Sequence, residues 1–184
     1  MNLILYIYCI ITLLFISVNS KEISIRNNDN NFKNLNSVLN NNQYDKELKL
    51  NFVDSYYNMT FLGYVTDLNV STNLYFIGNQ NGTTFDYCNS KLGVLHIRMN
   101  NNNNNNNNKE TTIIFKNIIF ENFNDRDNLY TQHLRIMDIF QEPKKYIIFE
   151  NCTFQNNKQD LLSFHAANTK VLDDFYIQFN NCSF

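Results

Sequence analysis

The sequence predicts an all-β fold, a right-handed parallel β-helix of about three to four coils. Three observations lead there. First, one phrase recurs: Ile113-Ile114-Phe115-Lys116-Asn117-Ile118-Ile119-Phe120, then Ile147-Ile148-Phe149-Glu150-Asn151-Cys152-Thr153-Phe154, then Ile177-Gln178-Phe179-Asn180-Asn181-Cys182-Ser183-Phe184. Second, the starts lie 34 and 30 residues apart, the period of a stacked repeat in which neighbouring units cover each other's apolar faces. Third, the strand-like segments are rich in Ile, Leu, Phe and Tyr, which suit a pleated surface, and polar Asn separates them.

The elements follow in chain order. The first twenty residues carry no charged side chain, and Leu3 to Val18 is almost continuously apolar. Val18-Asn19-Ser20 then offers small residues to a signal peptidase, which would leave Lys21 as the new N-terminus. Residues 1–20 therefore read as a secretory signal-peptide helix. The rival is an uncleaved membrane anchor, although a full span needs about 20 apolar residues. Residues 21–31 are polar and read as a flexible arm. Phe32, Leu35, Val38 and Leu39 share one helical face, and Leu48, Leu50 and Phe52 alternate as in a strand. Segment 32–69 is thus expected to cap the open end of the stack.

The repeats occupy 70–184. The first unit has strands at 74–77, 83–87 and 92–99, followed by nine consecutive Asn at 100–108. That run has nothing to bury and reads as a disordered insertion. Phe76 and Phe115 are 39 residues apart, and removing the nine Asn restores a spacing of 30. The second unit has strands at 112–115, 118–120 and 133–140, and the third at 146–149, 152–154 and 161–165. The fourth has strands at 175–179 and 182–184. Asn117, Asn151 and Asn181 would stack at one corner in a ladder of amide hydrogen bonds.

Composition limits the function. The net charge is -2, roughly a fifth of the chain is Asn, and no basic block would draw it to nucleic acid. Five sequons follow the apolar leader, at Asn58, Asn69, Asn81, Asn151 and Asn181, and in a secreted chain these are candidate glycosylation sites. Asn151 and Asn181 coincide with the repeat corner. Cys88, Cys152 and Cys182 remain once Cys9 leaves with the leader. Cys152 and Cys182 hold equivalent positions, so stacking would bring them ~4.8 Å apart, within the Cα range of a disulfide. Stacked parallel side chains also point the same way, which favours two free thiols.

At these residues the chain resembles the pectin-lyase-like β-helix superfamily, and within it the repeat proteins related to bacterial polymorphic outer-membrane proteins. Phe149-Glu150-Asn151-Cys152-Thr153-Phe154-Gln155-Asn156 carries the closest likeness, and Asn180-Asn181-Cys182-Ser183-Phe184 follows it. The resemblance covers about 70–184. It implies a secreted or cell-surface protein with a structural or adhesive role. Its partner would be a carbohydrate or another surface protein, or a second copy met end to end. It also raises the alternative of a polysaccharide-active enzyme, which would need clustered carboxylates. The candidates are Asp125, Asp127, Asp138, Asp160, Asp173 and Asp174, with Arg135 as a faint substrate-binding arginine. His96, His133 and His165 fall in the third strands of successive units, where stacking could bring them together; no Cys or carboxylate sits at ligand spacing to make a metal site. No phosphate loop, dinucleotide fingerprint or Ser-His-Asp order occurs, so the sequence names no catalytic residue and no cofactor. The Phe residues at 115, 120, 149, 154, 179 and 184 read as core.

Overall fold

The computed structural model describes residues 20–99, 110–124, 134–138, 145–158, 162–166 and 175–184. Residues 1–19 of the expected signal peptide, the Asn run 100–108, Asp125, Asp127, His133, Asp160, Asp173 and Asp174 lie outside these residues.

Strands β1 (Ser20–Ile25), β2 (Glu47–Phe52) and β3 (Tyr56–Asn58) are followed by a 3-10 turn (Met59–Leu62) and β4 (Val65–Val70). Next come β5 (Asn73–Ile77), β6 (Thr83–Ser90) and β7 (Val94–Met99), then β8 (Thr111–Lys116), β9 (Ile118–Phe123) and β10 (Leu134–Asp138). The last are β11 (Lys145–Glu150), β12 (Thr153–Gln155), β13 (Leu162–Ala166) and β14 (Phe175–Asn180). They stack as three parallel sheets: a six-stranded sheet in the order β1-β2-β5-β8-β11-β14, a four-stranded sheet β3-β6-β9-β12 and a four-stranded sheet β4-β7-β10-β13. The fold is a parallel β-solenoid of about four turns, as the repeat predicts.

Register follows from the side chains. Phe76, Phe115, Phe149 and Phe179 are Cα partners strand to strand. Their rings stack at 4.7, 5.0 and 4.9 Å, within 15° of parallel. A second column runs Phe85, Phe120, Phe154, Phe184, edge-on at its first step and stacked at the last two. A one-residue slip would turn every Phe outward, so burial enforces the pairing.

The corner between the long sheet and its neighbour depends on Asn. Asn117, Asn151 and Asn181 all have positive φ, from 52° to 57°, a region that Asn tolerates better than other non-glycine residues. Asn151 Nδ2 donates to Asn117 Oδ1 at 3.2 Å, and Asn181 Nδ2 donates to Asn151 Oδ1 at 2.7 Å. The predicted amide ladder is therefore present. One coil earlier Gly78 takes the place of Asn, because a Cβ there would strike the backbone carbonyl of Asn117.

Two sequence expectations need correction. The polar segment 21–31 is not wholly a loose arm. Its first residues form β1, paired in parallel with β2 from Ser20↔Glu47 to Ile25↔Phe52. Ile25 is fully buried, and the polar residues face outward, where Glu22 meets Lys49 at 3.2 Å. Likewise 32–69 is more than a cap, since β2, β3 and β4 already form a complete coil. The cap proper is α1 (Asn30–Lys33) and α2 (Leu35–Asn41), which bury Phe32, Leu35, Val38 and Leu39. Asp29 starts α1 by accepting the Phe32 N–H at 2.6 Å.

Two substitutions test this account by denaturant unfolding. Phe149→Ala empties the centre of the long Phe column and should cost about 3–5 kcal/mol. Asn151→Ala should cost about 2 kcal/mol, from the lost amide contacts and the left-handed backbone. Asn151→Gly, which keeps the backbone but not the amide, should cost measurably less.

Candidate functional site on the outer face of the long sheet

The six-stranded sheet alternates strictly. Leu48, Leu50, Leu74, Phe76, Ile113, Phe115, Ile147 and Phe149 point into the core. The alternate residues point outward and are part-exposed. On β1 and β2 that outer face is charged: Lys49 Nζ lies 3.2 Å from Glu22 and 3.1 Å from Glu47. From β5 to β14 its character changes. One outward row runs Tyr75, Ile114, Ile148, Gln178, and beside it Tyr146 pairs with Tyr176. The two tyrosine rings stack at 5.1 Å and 14°. Along the opposite border Ile77 is followed by Lys116 and Glu150, which neutralise each other at 3.0 Å. The Tyr75 hydroxyl donates to Glu47 Oε2 at 3.3 Å, fixing that ring at the edge of the charged zone. No described element packs over this face. Ile114 and Ile148 are the second members of Ile-Ile doublets, which read as uniform core in the sequence. Only the inside-outside alternation assigns them to the surface.

A second polar group lies on the outer face of the β4 sheet. Asp67 Oδ1 is 2.6 Å from His96 Nδ1 and 3.2 Å from Arg98. Arg135 is the register partner of His96, and Asp138 lies at the end of β10 opposite Met99. His165 pairs with Met137, whereas the chain of partners from His96 through Arg135 leads to Ser163. His96 and His165 are therefore offset by two positions and do not form the column expected of them. Among the described residues no set of three His, Cys, Asp or Glu could hold a metal.

A third group surrounds Asp86. Its carboxylate accepts from Tyr56 Oη at 3.0 Å, the Cys88 N–H at 2.7 Å and Asn122 Nδ2 at 2.9 Å. Partial burial pushes its pKa up, but the three donors outweigh that and hold it below the ordinary carboxylate value. Burial, then Cys88 and Asp86, push the Tyr56 phenol up. The group sits at a bulge where Cys88 and Asn89 both have positive φ.

The sequons divide by environment. Asn69 and Asn81 are exposed, on β4 and in a turn. Asn58 is part-buried, with Oδ1 accepting from the Thr60 N–H at 3.0 Å and the Thr60 hydroxyl at 2.6 Å. Asn151 and Asn181 commit their side-chain amides to the ladder, so a glycan there would compete with the fold. Cys88, Cys152 and Cys182 are all free thiols. The disulfide weighed for Cys152 and Cys182 is not formed, because both thiols point the same way. Cys152 Sγ donates to the Phe115 carbonyl and Cys182 Sγ to the Phe149 carbonyl, each at 3.4 Å.

Comparison with family models, curated proteins and solved structures finds no match for this chain. Among the described residues no helix is long and apolar enough to cross a membrane.

Two measurements test the local chemistry. A thiol reagent should modify exposed Cys88 first and Cys152 only on unfolding, because burial both hides that thiol and pushes its pKa up to about 12. The Asp86 carboxylate is depressed in the folded state, so its contribution is fully present above the unfolded value of about 4 and is lost as pH falls through the lower folded value. Asp86→Asn should flatten the acid limb of a stability-against-pH curve, and an unchanged limb would show that the cluster does not couple to folding.

Proposed function

We propose that the chain is a secreted or cell-surface β-solenoid with a structural or adhesive role rather than a catalytic one. The observation that carries this reading is the outer face of the long sheet, where a neutral patch of Tyr and Ile is held on a stacked scaffold. The largest apolar patch on a monomer, a few hundred Å² in area, is often a functional contact surface. The charge-free leader 1–20 with its small-residue cleavage site, and the exposed sequons at Asn69 and Asn81, support a secretory route. The likeness of Phe149–Phe154, Phe-x-Asn-Cys-Thr-Phe, and of Phe179–Phe184, where Ser replaces Thr, to pectin-lyase-like repeats of the polymorphic outer-membrane type supports a place at the cell surface. Of the carboxylates on which the enzyme alternative would turn, Asp125, Asp127 and Asp173 lie outside the described residues, and Asp138 ends β10.

End-to-end self-association belongs to the same proposal. Strand β14 leaves Phe179 40% exposed, and residues 175–180 contain no charge to repel a neighbour.

Secretion from a eukaryotic host followed by mass spectrometry should yield a product beginning at Lys21, with glycans on Asn69 or Asn81 and none on Asn151 or Asn181. Beads coated with that product should adhere to polysaccharide- or protein-coated surfaces, and Ile148→Asp should abolish adhesion without changing the melting temperature. Release of shortened saccharides from a polysaccharide by the purified chain would overturn the reading in favour of the enzyme.

A further inference from the structure

We infer that the patch formed by Tyr75, Ile114, Ile148, Tyr146 and Tyr176 is a binding surface for a neutral polysaccharide chain laid across strands β5, β8, β11 and β14. The inference rests on the adhesive reading above and names its ligand. Size decides first. Four strands ~4.8 Å apart, with outward residues every ~6.8 Å along each, make a face of roughly 350 Å². Two such faces pressed together would bury roughly 700 Å², against the 1,200–2,000 Å² of a stable protein–protein interface. A second copy or a folded protein partner is therefore poorly matched to this patch. A linear polymer that lies along the rows is well matched, because it gains contact at every strand.

Charge decides next. Two cations flank the patch among the described residues, and both are neutralised: Lys116 by Glu150 at 3.0 Å, and Lys49 by Glu22 and Glu47 at 3.2 and 3.1 Å. The centre of the patch carries no charged side chain. Phosphate polymers and anionic lipid both require a basic surface, and an acidic polysaccharide has no counter-charge here. Chemistry then completes the match. A pyranose ring offers an apolar C–H face and a rim of hydroxyls. Ile114 and Ile148 form an aliphatic strip for the C–H faces. Tyr146 and Tyr176 stack face to face, so their ring edges border that strip, and tyrosine joins an apolar body to a polar tip. Gln178 continues the aliphatic row with an amide. Glu47 and Lys49, which are tied to one another, mark the end of the patch on the β2 side.

The test is retention of the intact chain on insoluble β-1,4-glucan, on chitin and on immobilised polygalacturonate, alongside protein-coated beads. The expected result is retention on a neutral polymer that survives about 1 M salt, where the Debye length is ~3 Å. Tyr75→Ala combined with Tyr146→Ala should weaken it about tenfold, equivalent to ~1.4 kcal/mol. Tyr64→Ala, at a residue 44% exposed beside β4 in a different sheet, should change nothing. Because these residues point outward, unchanged circular dichroism and melting will confirm that the variants fold. Retention on polygalacturonate alone, or lost with salt, overturns the inference. So does retention that is indifferent to the tyrosines. Adhesion only to protein-coated beads, lost in Ile148→Asp, overturns the ligand assignment and leaves the adhesive reading standing. No adhesion to any surface overturns both.

Discussion

Parallel in-register pairing between coils is the constraint from which the rest of this molecule follows. Each strand of the long sheet hydrogen-bonds only to strands from neighbouring coils, so the closest partners are 26 to 39 residues apart in sequence. A single coil therefore satisfies none of its own strand edges and buries little of its own apolar surface. Stability is acquired by stacking, and loops must close before any pairing is gained. That ordering gives the N-terminal helices their importance, because α1 and α2 provide an apolar floor on which the first complete coil can settle.

Given that constraint, like must sit on like. Phe stacks on Phe, Asn on Asn and Cys beneath Cys because identical corner geometry recurs every coil. The Asn column does two jobs that no other residue combines. It accepts the left-handed backbone at the corner, and it bonds its neighbours above and below. At Gly78 neither job is done: its backbone is not left-handed, the close approach of the Asn117 carbonyl excludes any side chain, and the amide ladder starts one coil later. The Phe columns depend on the same repetition, each ring covering the one beneath.

Much of this architecture was legible in the residues. The spacing of Ile113, Ile147 and Ile177 is the observed register of β8, β11 and β14, and Asn117, Asn151 and Asn181 are the observed ladder. What escaped notice has physical causes. The stretch Ser20–Ile25 looks like a polar arm because only Ile25 is deeply buried, and its pairing with β2 is a backbone property that composition does not report. The full coil β2–β4 hides because it lacks the Phe-x-Asn phrase. The outer patch was invisible because Ile113-Ile114 and Ile147-Ile148 read as one apolar block, although one member of each pair faces water. The histidine offset depends on the β10–β13 register, and no local pattern in the sequence encodes it.

The direction of the hydrogen bonds gives the solenoid a mechanical anisotropy. All three sheets run their bonds along the stacking axis. A load applied along that axis would open one coil at a time, as a zipper opens, with only one set of strand pairings resisting at each moment. A load applied along the strands would instead shear many pairings together. A ligand held on the flat face and dragged in the strand direction would engage this stiffer mode, so the face that offers contact is also the one best placed to bear force sideways.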